Sequence, residues 1–146
     1  MMDILEFTGD FRFLSNFYVA DFVWNGTLWP HSEAAYQAAK ATSREDYESF
    51  IKMKPGEAKR HGRKISVRSD WEEVKYDIMC EIVYEKFRQN PDLAERLLAT
   101  GHAHLEEGNN HGDQIWGVCP PRSGMGKNLL GKALMKVREQ LREGQE

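Results

Sequence analysis

Three side chains on one short segment are the first candidates for chemistry. In Trp29-Pro-His-Ser-Glu33-Ala-Ala-Tyr36-Gln37-Ala-Ala-Lys40, a carboxylate, an amide and an amine fall at i, i+4 and i+7. That spacing places all three on one face of an α-helix. Alanines at 34, 35, 38, 39 and 41 make the helix narrow, so neighbouring elements can approach it closely. A carboxylate beside a reacting carbon stabilises developing positive charge or deprotonates water. An amine can attack a carbonyl carbon to form a Schiff base. The competing reading is a solvated polar face opposite a buried alanine face, the commoner use of such a pattern.

A second set lies in Gly108-Asn-Asn-His111-Gly-Asp113-Gln-Ile-Trp116-Gly117, followed by Ser123-Gly-Met-Gly126-Lys127-Asn128. Asp113 is a candidate acid or base, Trp116 offers a flat stacking face, and the glycines admit close approach of a ligand. Gly-Met-Gly-Lys-Asn at a helix start resembles a phosphate cradle. It is not a P-loop, because GxxxxGK[ST] requires glycine where Pro121 stands. Ordinary loop and capping chemistry accounts for the glycines equally well. A third feature is the basic run Lys52, Lys54, Lys59, Arg60, Arg63, Lys64 and Arg68, interrupted by Glu57. It suits a phosphate or pyrophosphate, or a nucleic-acid backbone presented as substrate.

Other chemistries find little support. His102, His104 and His111 lack metal-ligand spacing, and no metal or cofactor is called for. Cys80 reads as a core residue of a long helix, and Cys119 has no evident base partner. With 20 basic and 23 acidic side chains the net charge is −3, which argues against a duplex binder relying on bulk charge. The two cysteines form no CxxC. No apolar run approaches the ~20 residues of a membrane span, and the acidic start MMDILEFTGD lacks a signal-peptide layout. A soluble, cytoplasmic protein without a membrane partner or an obligate protein partner is expected.

The elements that must position these residues follow from patterning. The 146 residues, 40% hydrophobic and 29% charged, suit a single globular domain over 1–146. Strands are expected near 4–7, 20–24 and 27–29, the last two joined by Asn25-Gly26. Helices are expected over about 31–41, with Ser32 as N-cap or first-turn residue, and over 44–53, capped by Ser43. Pro55 opens another helix that Gly62 ends. From Trp71, the stripe Val74, Ile78, Met79, Ile82, Val83 and Phe87 marks a long amphipathic helix closed by Asn90-Pro91. A short helix around Leu93, Leu97 and Leu98 ends at Gly101. The stretch 101–125 is either a strand or a functional loop. Leu129, Leu130, Ala133, Leu134, Val137 and Leu141 define a last helix. The fold class is α+β, mostly helical, with a small antiparallel element from the N-terminal quarter.

In chain order, these segments resemble the YbiA-like, or NADAR, family. The matching stretches are Phe13-Leu-Ser-Asn16-Phe17, Trp29-Pro-His-Ser-Glu33, Tyr36-Gln-Ala-Ala-Lys40, Gly62-Arg63 and Trp71-Glu-Glu-Val-Lys75 leading to Met79. They continue with Lys86-Phe87, Leu97-Leu-Ala-Thr-Gly101, Asp113-Gln-Ile-Trp116-Gly117, Gly126-Lys-Asn-Leu-Leu-Gly131 and Leu134-Met-Lys-Val-Arg138. Many members carry a histidine and an aromatic after the Ser-Glu pair, where this chain has Ala34 and Ala35.

The resemblance implies a YbiA-like fold and hydrolysis of an N-glycosidic bond at a ribose. The substrate would be a small phosphorylated nucleotide, such as the ribosylamino-pyrimidine phosphates of riboflavin synthesis, or ADP-ribose attached to guanine in nucleic acid. The family's glutamate falls on Glu33, its helix lysine on Lys40, and its aspartate and tryptophan on Asp113 and Trp116. Glu33, Asp113 and Lys40 are then the expected catalytic residues. Asn16, Phe17, Gln37, Arg63, Trp116, Gly117, Lys127 and Asn128 are the expected substrate-binding ones. Arg63 and Lys127 would hold phosphates, and Trp116 or Phe17 would stack on the base. The contrasting reading is a non-catalytic module that binds ADP-ribose or a related nucleotide through the same residues.

Overall fold

The computed structural model describes residues 2–144. Its contacts divide the chain into two compact units, Met1–Ser15 with Pro91–Glu146, and Asn16–Asn90.

The Asn16–Asn90 unit opens with an antiparallel hairpin, β1 (Val19–Trp24) and β2 (Thr27–His31). Asn25 (φ 53°) and Gly26 (φ 74°) both take the left-handed conformation, which gives a two-residue turn the twist of its strands. The register pairs Phe22 with Trp29 and Val23 with Leu28. Phe22 and Trp29 face inward and are fully buried, while Val23 and Leu28 stay exposed. The hairpin runs straight into α1 (Ser32–Ala39). The N-cap is His31, whose Nδ1 accepts from the Ala34 N–H at 3.1 Å, so Ser32 is a first-turn residue. Its other ring nitrogen lies 2.7 Å from the Met53 carbonyl.

Two short helices follow, α2 (Arg44–Ser49) and α3 (Pro55–His61). Ser43 caps α2 as its position implies, but the helix stops at Ser49 rather than near 53. Phe50 turns inward there and is fully buried, 5.0 Å from the His61 ring. Pro55 stands in the first turn of α3 and Gly62 is its C-cap. The long helix α4 (Trp71–Arg88) buries Trp71, Met79, Cys80, Ile82, Val83 and Phe87. Val74 and Ile78 of the expected stripe are only half-buried. Lys86 is buried instead, its ammonium 5.8 Å from the Tyr18 ring centre and 5.1 Å from that of Phe87.

In the other unit no strand forms at 4–7. Ile4 makes a single parallel bridge with Leu105, and the next residues wind into a 3-10 helix, Gly9–Leu14, that buries Phe13 and Leu14. An extended segment whose neighbour is an irregular loop gains one bridge and no ladder. Helices α5 (Pro91–Ala99) and α6 (Leu129–Glu143) pack Leu93, Leu97, Leu130, Leu134 and Val137 into the core. The Arg138 guanidinium is buried there, donating at 2.9 Å to both Thr100 Oγ1 and the Ala103 carbonyl. The stretch 101–125 is a loop, braced internally by a parallel bridge between Gly108 and Val118 and joined to Ile4 at Leu105. Mostly helical with a two-stranded antiparallel element, the α+β class holds. Among the described residues, no helix is long and apolar enough to cross a membrane.

Candidate active site

Helix α1 has no solvated face: every residue from Ser32 to Ala39 is buried. Alanine side chains let β2, α3 and α4 close over it, and the polar positions are covered along with the apolar ones. Glu33 is thus a carboxylate at 7% exposure in the first turn, where the helix dipole favours negative charge. Its backbone N–H donates to the Asn16 carbonyl at 3.1 Å. One turn on, Gln37 Nε2 donates to Glu33 Oε1 at 2.8 Å. Gln37, expected from the sequence as a substrate ligand, is placed as a neighbour of the carboxylate.

Lys40 is the C-cap of α1 and half-buried. Burial is the main cause that lowers its pKa, opposed by the Glu33 charge and reinforced by Arg63 and Lys75. Its ammonium lies 5.5 Å from the centre of the Tyr36 ring, which tilts against Trp71 at 5.2 Å. Arg63, just past the end of α3, is exposed. Asn16 turns its amide toward the Met79 sulfur at 3.6 Å, and Phe17 is exposed, with the Lys59 ammonium 5.9 Å from its ring. The unit Asn16–Asn90 therefore gathers Glu33, Gln37, Lys40 and Arg63 into one mixed-charge cluster.

In the unit Met1–Ser15 with Pro91–Glu146, the second set is organised by two asparagines. Buried Asn109 donates to the Asp113 carbonyl at 2.9 Å and accepts from the His111 and Asp113 N–H groups. Asp113 Oδ1 accepts from the N–H groups of Ile115 and Trp116 at 3.0 and 2.9 Å, closing a turn. Trp116 is half-buried, Gly117 is buried and Lys127 is exposed. Gly117 is tightly enclosed, since a Cβ there would lie 2.2 Å from the Glu107 carbonyl oxygen. Asn128 takes a left-handed conformation (φ 52°), accepting from Glu107 N–H at 3.0 Å and donating to the Leu105 carbonyl at 2.9 Å. Its amide thus braces the backbone before α6.

Sequence reasoning missed Lys75 and Glu72, whose charges reach Lys40 from the first turns of α4. Lys75 is bound to Glu72 at 2.8 Å with only 13% of its side chain exposed. The signal was the i, i+4 spacing of Trp71 and Lys75, one helical face shared with the ring that packs on Tyr36. Among the described residues, no group of three or more His, Cys, Asp or Glu side chains is placed to hold a metal ion.

Comparison with known proteins agrees with this architecture. The NADAR domain model matches residues 6–142. The chain is 39% identical over 136 residues to the N-glycosidase YbiA of Escherichia coli (strain K12), covering 91% of this chain and 81% of that one. It is 41% identical over 134 residues to a riboflavin biosynthesis protein of Vibrio vulnificus (strain YJ016). That match covers 90% of this chain, which spans only 36% of the Vibrio protein's length. The NMR structure of E. coli YbiA is similar at a TM-score of 0.86 and 34% identity, covering 99% of this chain and 89% of that one. With the alanine helix bearing Glu33, the hairpin before it and the long helix after, this chain belongs to the NADAR family.

Proposed function

We propose that this chain is an N-glycosidase that hydrolyses the C–N bond between a ribose and a base in a phosphorylated, nucleotide-like substrate. The observation that carries this reading is the buried Glu33 carboxylate, hydrogen-bonded by Gln37 and accompanied by a lysine whose pKa burial lowers. Relatives of the chain named as N-glycosidases support it.

Cleavage of a ribosyl C–N bond develops positive charge at C1′, and the bonding electron pair leaves with the base nitrogen. Glu33, in a site largely closed to water, stabilises that charge. The Lys40 amine then adds to C1′, and the proton it gives up passes to the departing base nitrogen. Opening of the sugar ring gives an imine, and water hydrolyses it to release the sugar and return the free amine. Arg63 holds a phosphate, with Asn16 and Phe17 as further substrate contacts. In the other unit, Trp116, Gly117 and Lys127 are assigned to base and phosphate binding and Asp113 to acid–base work, with Asn128 bracing the loop. A single protein domain is the proposed unit of activity.

The test is incubation with a ribosylamino-pyrimidine phosphate and, separately, with DNA carrying ADP-ribosylated guanine, measuring released base and sugar. Turnover of either substrate supports the reading and names the substrate class. Saturable binding of both without release of base would identify a nucleotide-binding module instead.

A further inference from the structure

Gly62 lies at the C-cap of α3 with φ −60° and ψ −20°, a helical conformation open to any residue. Its backbone therefore gives no reason for glycine. Its surroundings do: Gly62 is buried, and a Cβ there would lie 1.9 Å from Gln37 Oε1 and 2.6 Å from Gln37 Cδ. The side chain it would strike is the one whose Nε2 donates to Glu33.

The orientation of the Gln37 amide follows from chemistry. An ionised carboxylate only accepts hydrogen bonds, so the amide must turn its NH2 toward Glu33 and its oxygen the other way. That oxygen points at Gly62, where it is buried with no hydrogen-bond partner. A buried acceptor without a partner is disfavoured, and an inward rotation away from Gly62 would take the donor with it. The missing Cβ is what lets the amide stay.

We infer that Gly62 is a positioning residue for the catalytic carboxylate, acting through Gln37: by leaving the space of a methyl group vacant, it holds the amide against Glu33. This rests on the reading of Glu33 as the group that meets the reacting carbon. Gln37 and Gly62 touch no substrate in this role. They set the direction of the carboxylate, so their loss lowers kcat rather than raising KM.

A double-mutant cycle tests the inference with two readouts, turnover and thermal unfolding. Gln37→Ala and Gly62→Ala should each lower kcat about tenfold or more, the usual effect of removing a hydrogen bond to a charged group, with KM within about twofold. Gly62→Ala/Gln37→Ala should have the kcat of Gln37→Ala alone, because the amide through which Gly62 acts is already gone. The double variant should also melt higher than Gly62→Ala, since the clash partner has been removed. If Gly62→Ala does not fold, the double variant should fold and show the Gln37→Ala turnover. Unchanged kcat in Gly62→Ala, costs that add in full, or a double variant no more stable than Gly62→Ala would each overturn the inference. A fully active Glu33→Gln control would overturn the function reading instead, leaving the stability coupling of Gly62 and Gln37 to stand or fall by itself.

Discussion

The Lys40 ammonium stands 5.5 Å from the centre of the Tyr36 ring, one turn back along α1. The ring face favours the charged form, as does the Glu33 carboxylate. Burial, with Arg63 and Lys75 nearby, outweighs the charges of Glu33 and Glu72, and the net shift is downward. An amine held this way reaches its neutral, nucleophilic form at lower pH than a solvated lysine.

Cyanoborohydride added during turnover should therefore reduce the imine and leave a sugar adduct on Lys40, located by peptide mass spectrometry. Trapping should increase as pH rises, because deprotonation exposes the lone pair. Its midpoint should lie below the usual 10.5 of lysine. An adduct on Lys127 would move the nucleophile to the other unit. No adduct, with Lys40→Arg still active, would leave water as the nucleophile.

Glu33→Gln should lower the rate of cleavage by about 10²–10⁴, the usual contribution of an acid–base or charge-stabilising group. The amide has nearly the same shape, so the melting temperature should change little. An unimpaired variant with a normal melting curve would remove Glu33 from the mechanism.

Lys86 is a separate titrating element. Burial pushes its pKa down to about 7 from the ordinary 10.5. Between those values the unfolded chain holds a proton that the folded chain has released, so stability rises with pH. Replacing Lys86 with Met removes the titration. Wild-type stability relative to Lys86→Met should be lowest below about pH 7 and should rise as pH increases toward 10.5. Denaturant titrations across that range read the difference, and a constant value would contradict the assignment to burial.

Asn109→Ala should destabilise the protein by about 1–3 kcal/mol, since it removes the hydrogen bonds that a buried amide makes to part-buried backbone groups. Those groups include the Asp113 carbonyl and the N–H groups of His111 and Asp113. Equilibrium unfolding measures the loss, and a cost under about 0.5 kcal/mol would show that water replaces the amide.

Much of the backbone was legible from local signals. Asn25-Gly26 announces a turn because few other pairs tolerate two left-handed residues in succession. Pro55 and Gly62 bracket α3, and Asn90-Pro91 closes α4. The extended segment at 4–7 was misjudged because its pattern suits a strand, whereas a strand also needs a partner, and only a loop lies beside it.

The site divides in the same way. The four-residue spacing of Glu33 and Gln37 determined by itself that their side chains share a helical face, because helix geometry is local. Whether that face meets water was decided elsewhere. Local periodicity favoured a solvated polar face on α1, yet the whole helix is buried. Solvent exclusion is the sum of what distant segments place over a residue, and no window of sequence contains it. The same holds for Lys75, brought to Lys40 by α4, and for Lys86, which interrupts an apolar stripe and is nevertheless enclosed. It holds for Gly62 too: in sequence it ends a helix, and only in the folded chain does its missing side chain become the space that the Gln37 amide occupies.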